Sequence, residues 1–327
     1  MMATKIGLNL DKEIDFSLFN YSSEQIHEFG QAAIEIEKYF QLPITEGHFN
    51  DVINIWYRLV SVLPLPIISA DVNFILRSRP SKEFEVFNDE ADISYNSKCP
   101  DRIGPGRFNR PEEAVFYGTL PSDKQEKFVA AVSIESYKEL ISEGNKSDVL
   151  YYHFCKFLVK NSFPLVNLCF EHTVLNQHPG LNRSVTAQIQ NLKDNLPTES
   201  FEAIIRFWHY ISRLASERKL CDQHYMINTA LFCTIRNYYE TITTESVIGM
   251  IYPSPMLYGN AVNIVMMPHA VDKYLQADDC FIFKYVRAED NEKNFETDIC
   301  SKPSKVLEGK LNICDIIWGR QLANYRY

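Results

Sequence analysis

Between residues 148 and 240 the chain holds a single glycine, Gly180, and its breaks fall at Pro164, Pro179-Gly180 and Pro197. So long a stretch with so few residues of free backbone conformation favours helices separated by prolines, and runs at 148–160, 184–194, 199–216 and 222–240 carry helical patterning. The run Phe163 to Phe170 is short and bounded by Pro164, which reads as a strand.

On the N-terminal side, Ser22-x-x-Gln25 is a capping-box pattern, and Ile26, Phe29, Ala33, Ile36 and Phe40 follow at helical spacing, so a helix is expected over 23–41. A second helix carries Phe49, Val52, Ile53, Trp56, Val60 and Leu63 and stops at Pro64 and Pro66. From Ile67 to Arg79 the pattern alternates as in a strand, and residues 80–114 are polar and loop-like. Ala114 to Gly118 predicts a short strand, and Ser122-x-x-Gln125 opens a helix to about Ser142. Strands return at Val247–Tyr252, Val262–Met267 and Cys280–Val286. Helices interleaved with a returning sheet predict an α+β protein. Its expected regions are an N-terminal helical cap (1–66), the first half of a core (67–147), a mainly helical insertion (148–240) and the second half of the core (241–327).

Composition narrows the function. With 46% hydrophobic and 23% charged residues over 327 positions, the chain has enough apolar material for a real core and is not of the disordered class. Thirty-three Lys and Arg against 42 Asp and Glu leave a net charge of −9, which argues against duplex nucleic acid or an anionic membrane as a partner. The N-terminus has no apolar signal region, and the apolar stretch 61–70 is short and broken by Pro64 and Pro66, so neither export nor a membrane span is expected. Eight cysteines without a C-x-x-C pair suit free thiols in the cytoplasm. Cys221 and His224 have metal-ligand spacing but lack a second pair, and no metal is expected.

Only 12 glycines occur, half the usual share of about 7%, yet five of them fall within 102–118 and 249–263. The first window sets Gly104, Gly106, Arg107 and Asn109 before a strand ending in Tyr117-Gly118. Arginine donors suit a pyrophosphate or a carboxylate, and a tyrosine ring offers a stacking face. The competing reading is a surface loop whose arginines pair with Asp92, Glu112 and Glu113. The second window holds Tyr252, Ser254 between Pro253 and Pro255, Gly259 and Asn263, and it serves equally as a ligand loop or as a turn. No G-x-S-x-G elbow supports a serine hydrolase, and no Walker loop or G-x-G-x-x-G supports the usual nucleotide folds.

Together these pieces resemble the RES-domain family, toxins of bacterial toxin–antitoxin systems with an ADP-ribosyltransferase-like fold. Arg77-Ser-Arg79 resembles the family's Arg-x-Arg strand, and Gly106-Arg-Phe-Asn109 with Val115-Phe-Tyr117 resembles its G-R-[FWA]-N and following strand. Ala130 to Glu135 resembles the segment bearing its glutamate, and Gly249-Met-Ile-Tyr-Pro-Ser254 with Asn263 and Pro268 resembles its last motifs. The matched core covers about half the chain; the helical cap, the helical middle and the long spacing before the glutamate depart from the pattern.

The resemblance implies an ADP-ribosyltransferase-like mixed β core and an enzyme that consumes NAD by cleaving its nicotinamide–ribose bond. Arg77 and Arg107 would hold the pyrophosphate, Tyr117 would stack on the nicotinamide side, Glu135 would bind a ribose hydroxyl and Ser254 would orient the nicotinamide end, with Glu126 the alternative acid. Arg79, Gly106, Asn109, Gly118, Tyr252 and Asn263 complete the implied NAD-binding set. Water, phosphate or a protein side chain would accept the ADP-ribose. A scaffold that binds a nucleotide or a partner without catalysis is the alternative of another class. An antitoxin or regulatory protein and a homo-oligomer are the expected partners.

Overall fold

A computed structural model describes residues 7–8, 14–69, 72–120, 149–217, 221–242, 249–255, 261–287 and 295–319. In chain order the first elements are β1 (Gly7–Leu8), α1 (Ser23–Lys38), α2 (Glu46–Val60), β2 (Leu65–Ser69), β3 (Phe74–Ser81), α3 (Glu90–Ile93), β4 (Phe116–Leu120), β5 (Val149–Val159) and β6 (Pro164–Asn167). There follow α4 (His172–Leu175), α5 (Pro179–Asn195), α6 (Thr198–Ser216), α7 (Asp222–Ile242), β7 (Gly249–Pro253) and β8 (Val262–Met266). The last are α8 (Pro268–Tyr274), β9 (Leu275–Arg287), β10 (Phe295–Ile299), β11 (Ser304–Leu307) and β12 (Lys310–Leu311). The chain is thus mixed helix and strand, as the α+β reading expects. It divides into two compact units, one of Met1–Ala70, Asp101–Glu113 and Phe163–Met266, the other of Asp71–Pro100, Ala114–Ser162 and Met267–Tyr327.

The first unit orders its strands β1-β2-β6-β7-β8, with β1/β2 and β6/β7 parallel and β2/β6 and β7/β8 antiparallel. The helices start where the sequence signals a start. Gln25 N–H donates to Ser22 Oγ at 3.2 Å and Ser22 N–H to Gln25 Oε1 at 2.9 Å, the reciprocal capping box of α1. Two buried tryptophans fasten the helical layer: Trp56 Nε1 donates to Ile227 O (3.1 Å) and Trp208 Nε1 to Pro64 O (2.7 Å). Both indoles bury their rings while satisfying the polar N–H, as a buried tryptophan must.

The second unit is an antiparallel sheet ordered β4-β3-β5-β9-β11-β12, with β10 also on β9. Strand pleating gives it two chemically different faces. One is apolar, with Leu76, Leu150, Tyr152, Phe154, Phe281, Phe283 and Tyr285 packed together. The other carries rungs of mixed chemistry: Arg77 opposite Cys155 opposite Cys280, then Arg79 opposite His153 opposite Ile282. The segment after β12 is held to this unit by Lys284, whose Nζ donates to Ile317 O and Gly319 O, each at 3.1 Å, and by Gly319 N–H donating to Tyr151 Oη at 2.7 Å.

Three expectations are corrected. The helix expected over 148–160 is strand β5: Leu150 to Cys155 are buried on both faces, so no exposed stripe marks a period, and pairing with β3 and β9 decides the conformation. The strand expected from Ile67 to Arg79 is two strands, β2 and β3, that belong to different units. The loop expected over 80–114 contains helix α3 and a 3-10 turn at Pro100–Arg102. The helix expected from Ser122 to about Ser142, together with Glu126, Glu135 and Gly259, lies outside the described residues.

Candidate functional site

In the first unit, Gly106-Arg-Phe-Asn109 folds onto itself. Gly106 N–H donates to Asn109 O (3.2 Å), and buried Asn109 sends Nδ2–H to Gly104 O (3.0 Å) and Arg110 O (2.8 Å). A side-chain amide that satisfies two main-chain carbonyls fixes the loop without a regular element. Phe108 is fully buried and meets Tyr252 edge-on, with ring centroids 4.8 Å apart at 64°. Tyr252 stands on β7 directly opposite Asn263 on β8, and Ser254 N–H donates to Ala261 O at 2.8 Å just past that pair. Tyr252, Ser254 and Asn263 are all buried. A Cβ at Gly249 would run into the carbonyl oxygen of Val265 and lie 3.2 Å from Leu165 Cδ2, so the leading glycine of this motif is required by close strand approach.

Arg107 leaves the loop in another direction. Its Nη1 donates to Ala215 O (2.9 Å) and Glu217 O (3.0 Å), the carbonyls that end α6. A guanidinium at a helix C-terminus satisfies carbonyls without an intrahelical donor and opposes the negative end of the dipole. The loop arginine is therefore engaged with the backbone rather than with Glu112 or Glu113, and Glu113 is instead bound by Arg236 at 2.7 Å.

In the second unit, Arg77 Nε donates to Ile93 O at 2.7 Å and Nη1 donates to Tyr117 O, while the guanidinium lies 4.9 Å over the Phe116 ring. Burial, with Arg79 adding to it, lowers the Arg77 pKa below the ordinary arginine value, yet the group stays a cation. Arg79 Nη1 donates to Asp92 O at 2.6 Å, and burial lowers its pKa against the opposing pull of Asp92 and Glu85. Tyr117 is half-buried on β4. Gly118 admits no side chain, since a Cβ there would sit 2.5 Å from Ile75 Cγ2 and 3.1 Å from Leu76 O.

The motif residues are thus gathered two motifs at a time. Gly106, Arg107 and Asn109 share a unit with Tyr252, Ser254 and Asn263, joined through Phe108 on Tyr252. Arg77 and Arg79 share the other unit with Tyr117 and Gly118, joined through the Arg77 guanidinium. Two supporting residues escape the sequence reading. Phe108 is visible only as a member of the G-R-F-N string, whereas Thr229, whose hydroxyl lies 3.5 Å from Gly106 O and Asn109 O, sits 120 residues from the loop and has no local signal.

Two features stand apart from these motifs. A cavity of about 590 Å³ in the second unit is lined by Glu90, Ser94, Tyr95, Lys98, Lys160 and Asp272 among others, and Tyr95 Oη donates to the Asp272 carboxylate at 2.8 Å. Cys221 Sγ and His224 Nδ1 lie 3.1 Å apart in the first unit.

The chain matches no protein-family model and no curated protein.

Proposed function

We propose that this protein consumes NAD by cleaving the bond between the nicotinamide nitrogen and ribose C1′, on an ADP-ribosyltransferase-like core, with water or phosphate taking the ADP-ribose. One observation carries the reading: motifs far apart in sequence meet in pairs, Phe108 of G-R-F-N on Tyr252 of Y-P-S, and Arg77 of R-S-R on the main chain of Tyr117. Cleavage passes through an oxocarbenium-like ribose and releases neutral nicotinamide, so the protein needs to place groups rather than supply a metal. In this reading Tyr117 stacks on the nicotinamide side, Ser254 orients the nicotinamide end, and Glu135 binds a ribose hydroxyl and stabilises the developing positive charge. Arg77 and Arg107, which this reading assigns to the pyrophosphate, also hold the main chain of Tyr117 and the end of α6 respectively.

The engagement of both arginines with main-chain carbonyls favours a second reading, a scaffold that binds a nucleotide without cleaving it. Purified full-length protein is incubated with NAD beside Ser254→Ala and Glu135→Ala, following nicotinamide by chromatography and folding by circular dichroism. Release by the wild type that falls about 100-fold in both folded variants is the expected result. NAD binding by calorimetry without any release selects the scaffold, and absence of both overturns the NAD assignment.

A further inference from the structure

Cys155 on β5 and Cys280 on β9 are direct cross-strand partners, both fully buried, on the sheet face that also carries Arg77 in the same rung. Residues directly opposed in an antiparallel pair hold their Cα atoms about 4.5 or 5.5 Å apart, and either distance lies within the span a disulfide bridges. The pleat sends both side chains to the same face, and the neighbouring Cys280 thiol adds to burial in raising the Cys155 pKa. The register shifts immediately after Cys155, between Cys155 and Phe157, so the ladder beside the pair is already irregular. All eight cysteines are free thiols.

We infer that Cys155 and Cys280 form a dithiol–disulfide site that closes to a cross-strand disulfide when a low-molecular-weight disulfide acts as oxidant. The first cysteine loses its proton and attacks one sulfur of the oxidant, expelling a thiolate and leaving a mixed disulfide. The second cysteine, also deprotonated, attacks the protein sulfur and expels the other half of the oxidant. Two protons and two electrons leave the pair, one S–S bond forms, and the small disulfide departs as two thiols. Burial raises the Cys155 pKa well above its usual value, so the reaction runs through opening of the β5/β9 pair and quickens at alkaline pH. Exposed Cys221 and Cys314 react first, each as a mixed disulfide, because neither has an opposed thiol in a strand pair. This inference stands whether or not the protein cleaves NAD.

The test holds the native full chain with oxidised glutathione at pH 8.5, blocks remaining thiols with iodoacetamide in denaturant, and maps non-reduced peptides by mass spectrometry. A Cys155–Cys280 peptide pair, two hydrogens lighter than the reduced pair, is expected in most chains, with the circular dichroism spectrum retained and the pair absent from Cys280→Ala. Recovery of both residues alkylated, or of Cys155 only as its glutathione adduct, overturns the inference. Should Cys280→Ala fail to fold, the wild-type map decides alone, because a disulfide formed through the unfolded chain would be scattered among the eight cysteines.

Discussion

The Arg77 guanidinium donates to the main-chain carbonyl of Tyr117, forty residues further along the chain, while its Nε donates to Ile93 O. One side chain on β3 thereby fixes the backbone of β4 and the end of α3. A planar fork of fixed donors can serve two carbonyls at once, which a lysine ammonium at the same position does less well. The strand motif and the tyrosine motif are therefore a mechanical unit before they are anything catalytic.

Removing that fork takes a donor from the carbonyls of buried Ile93 and half-buried Tyr117, so Arg77→Ala should destabilise the fold by about 3 kcal/mol. Arg77→Lys, which keeps the charge and part of the hydrogen bonding, should lose about half as much. Urea unfolding midpoints measure both, and an Arg77→Lys variant as stable as the wild type would show that the fork geometry is not what matters.

Two glycines should respond oppositely to alanine. At Gly118 the new methyl meets Ile75 at 2.5 Å and Leu76 O at 3.1 Å, so Gly118→Ala should cost about 1–3 kcal/mol. Gly30 lies in the middle of α1, where an added methyl would have no heavy atom within 4 Å, and Gly30→Ala should stabilise by about 0.5–1 kcal/mol. Thermal unfolding of the pair checks the sign of each.

His153 is buried on the mixed face of the second sheet. Its Nε2 accepts from Phe87 N–H at 3.0 Å, which leaves the ring proton on Nδ1 to donate to Ser81 Oγ at 3.1 Å. Burial pushes its pKa down to about 3, with Arg79 adding to the effect and Asp92 opposing it. The unfolded chain takes up the histidine proton near pH 6.5 and the folded chain near 3, so stability contributed by the neutral ring is present above about pH 6.5 and drains away as pH falls toward 3. The slope is up to about 1.4 kcal/mol per pH unit. Unfolding free energies at pH 7, 6 and 5 should show a shallower decline in His153→Gln than in the wild type.

Arg107 closes the C-terminus of α6 through Ala215 O and Glu217 O. Arg107→Met should cost about 1–2 kcal/mol and Arg107→Lys less, read by urea unfolding. If the residue also meets NAD, the lysine variant should lose nicotinamide release out of proportion to its small loss of stability.

Local chemistry in the sequence determined α1, α2, α5, α6 and α7, because a capping box, a proline at the first turn and an amphipathic stripe act within a few residues of where they are written. It also marked the motif residues, since glycine, arginine and tyrosine strings are legible without a partner. Tertiary structure decided the conformation of Val149–Val159, where apolar residues on both faces hide any period and only the registers with β3 and β9 choose strand over helix. It decided that Gly118 and Gly249 are demanded by neighbouring strands, and that Arg107 ends a helix more than a hundred residues away. These are long-range contacts, made by groups whose partners are distant in the chain, and no pattern confined to a short window of sequence specifies them.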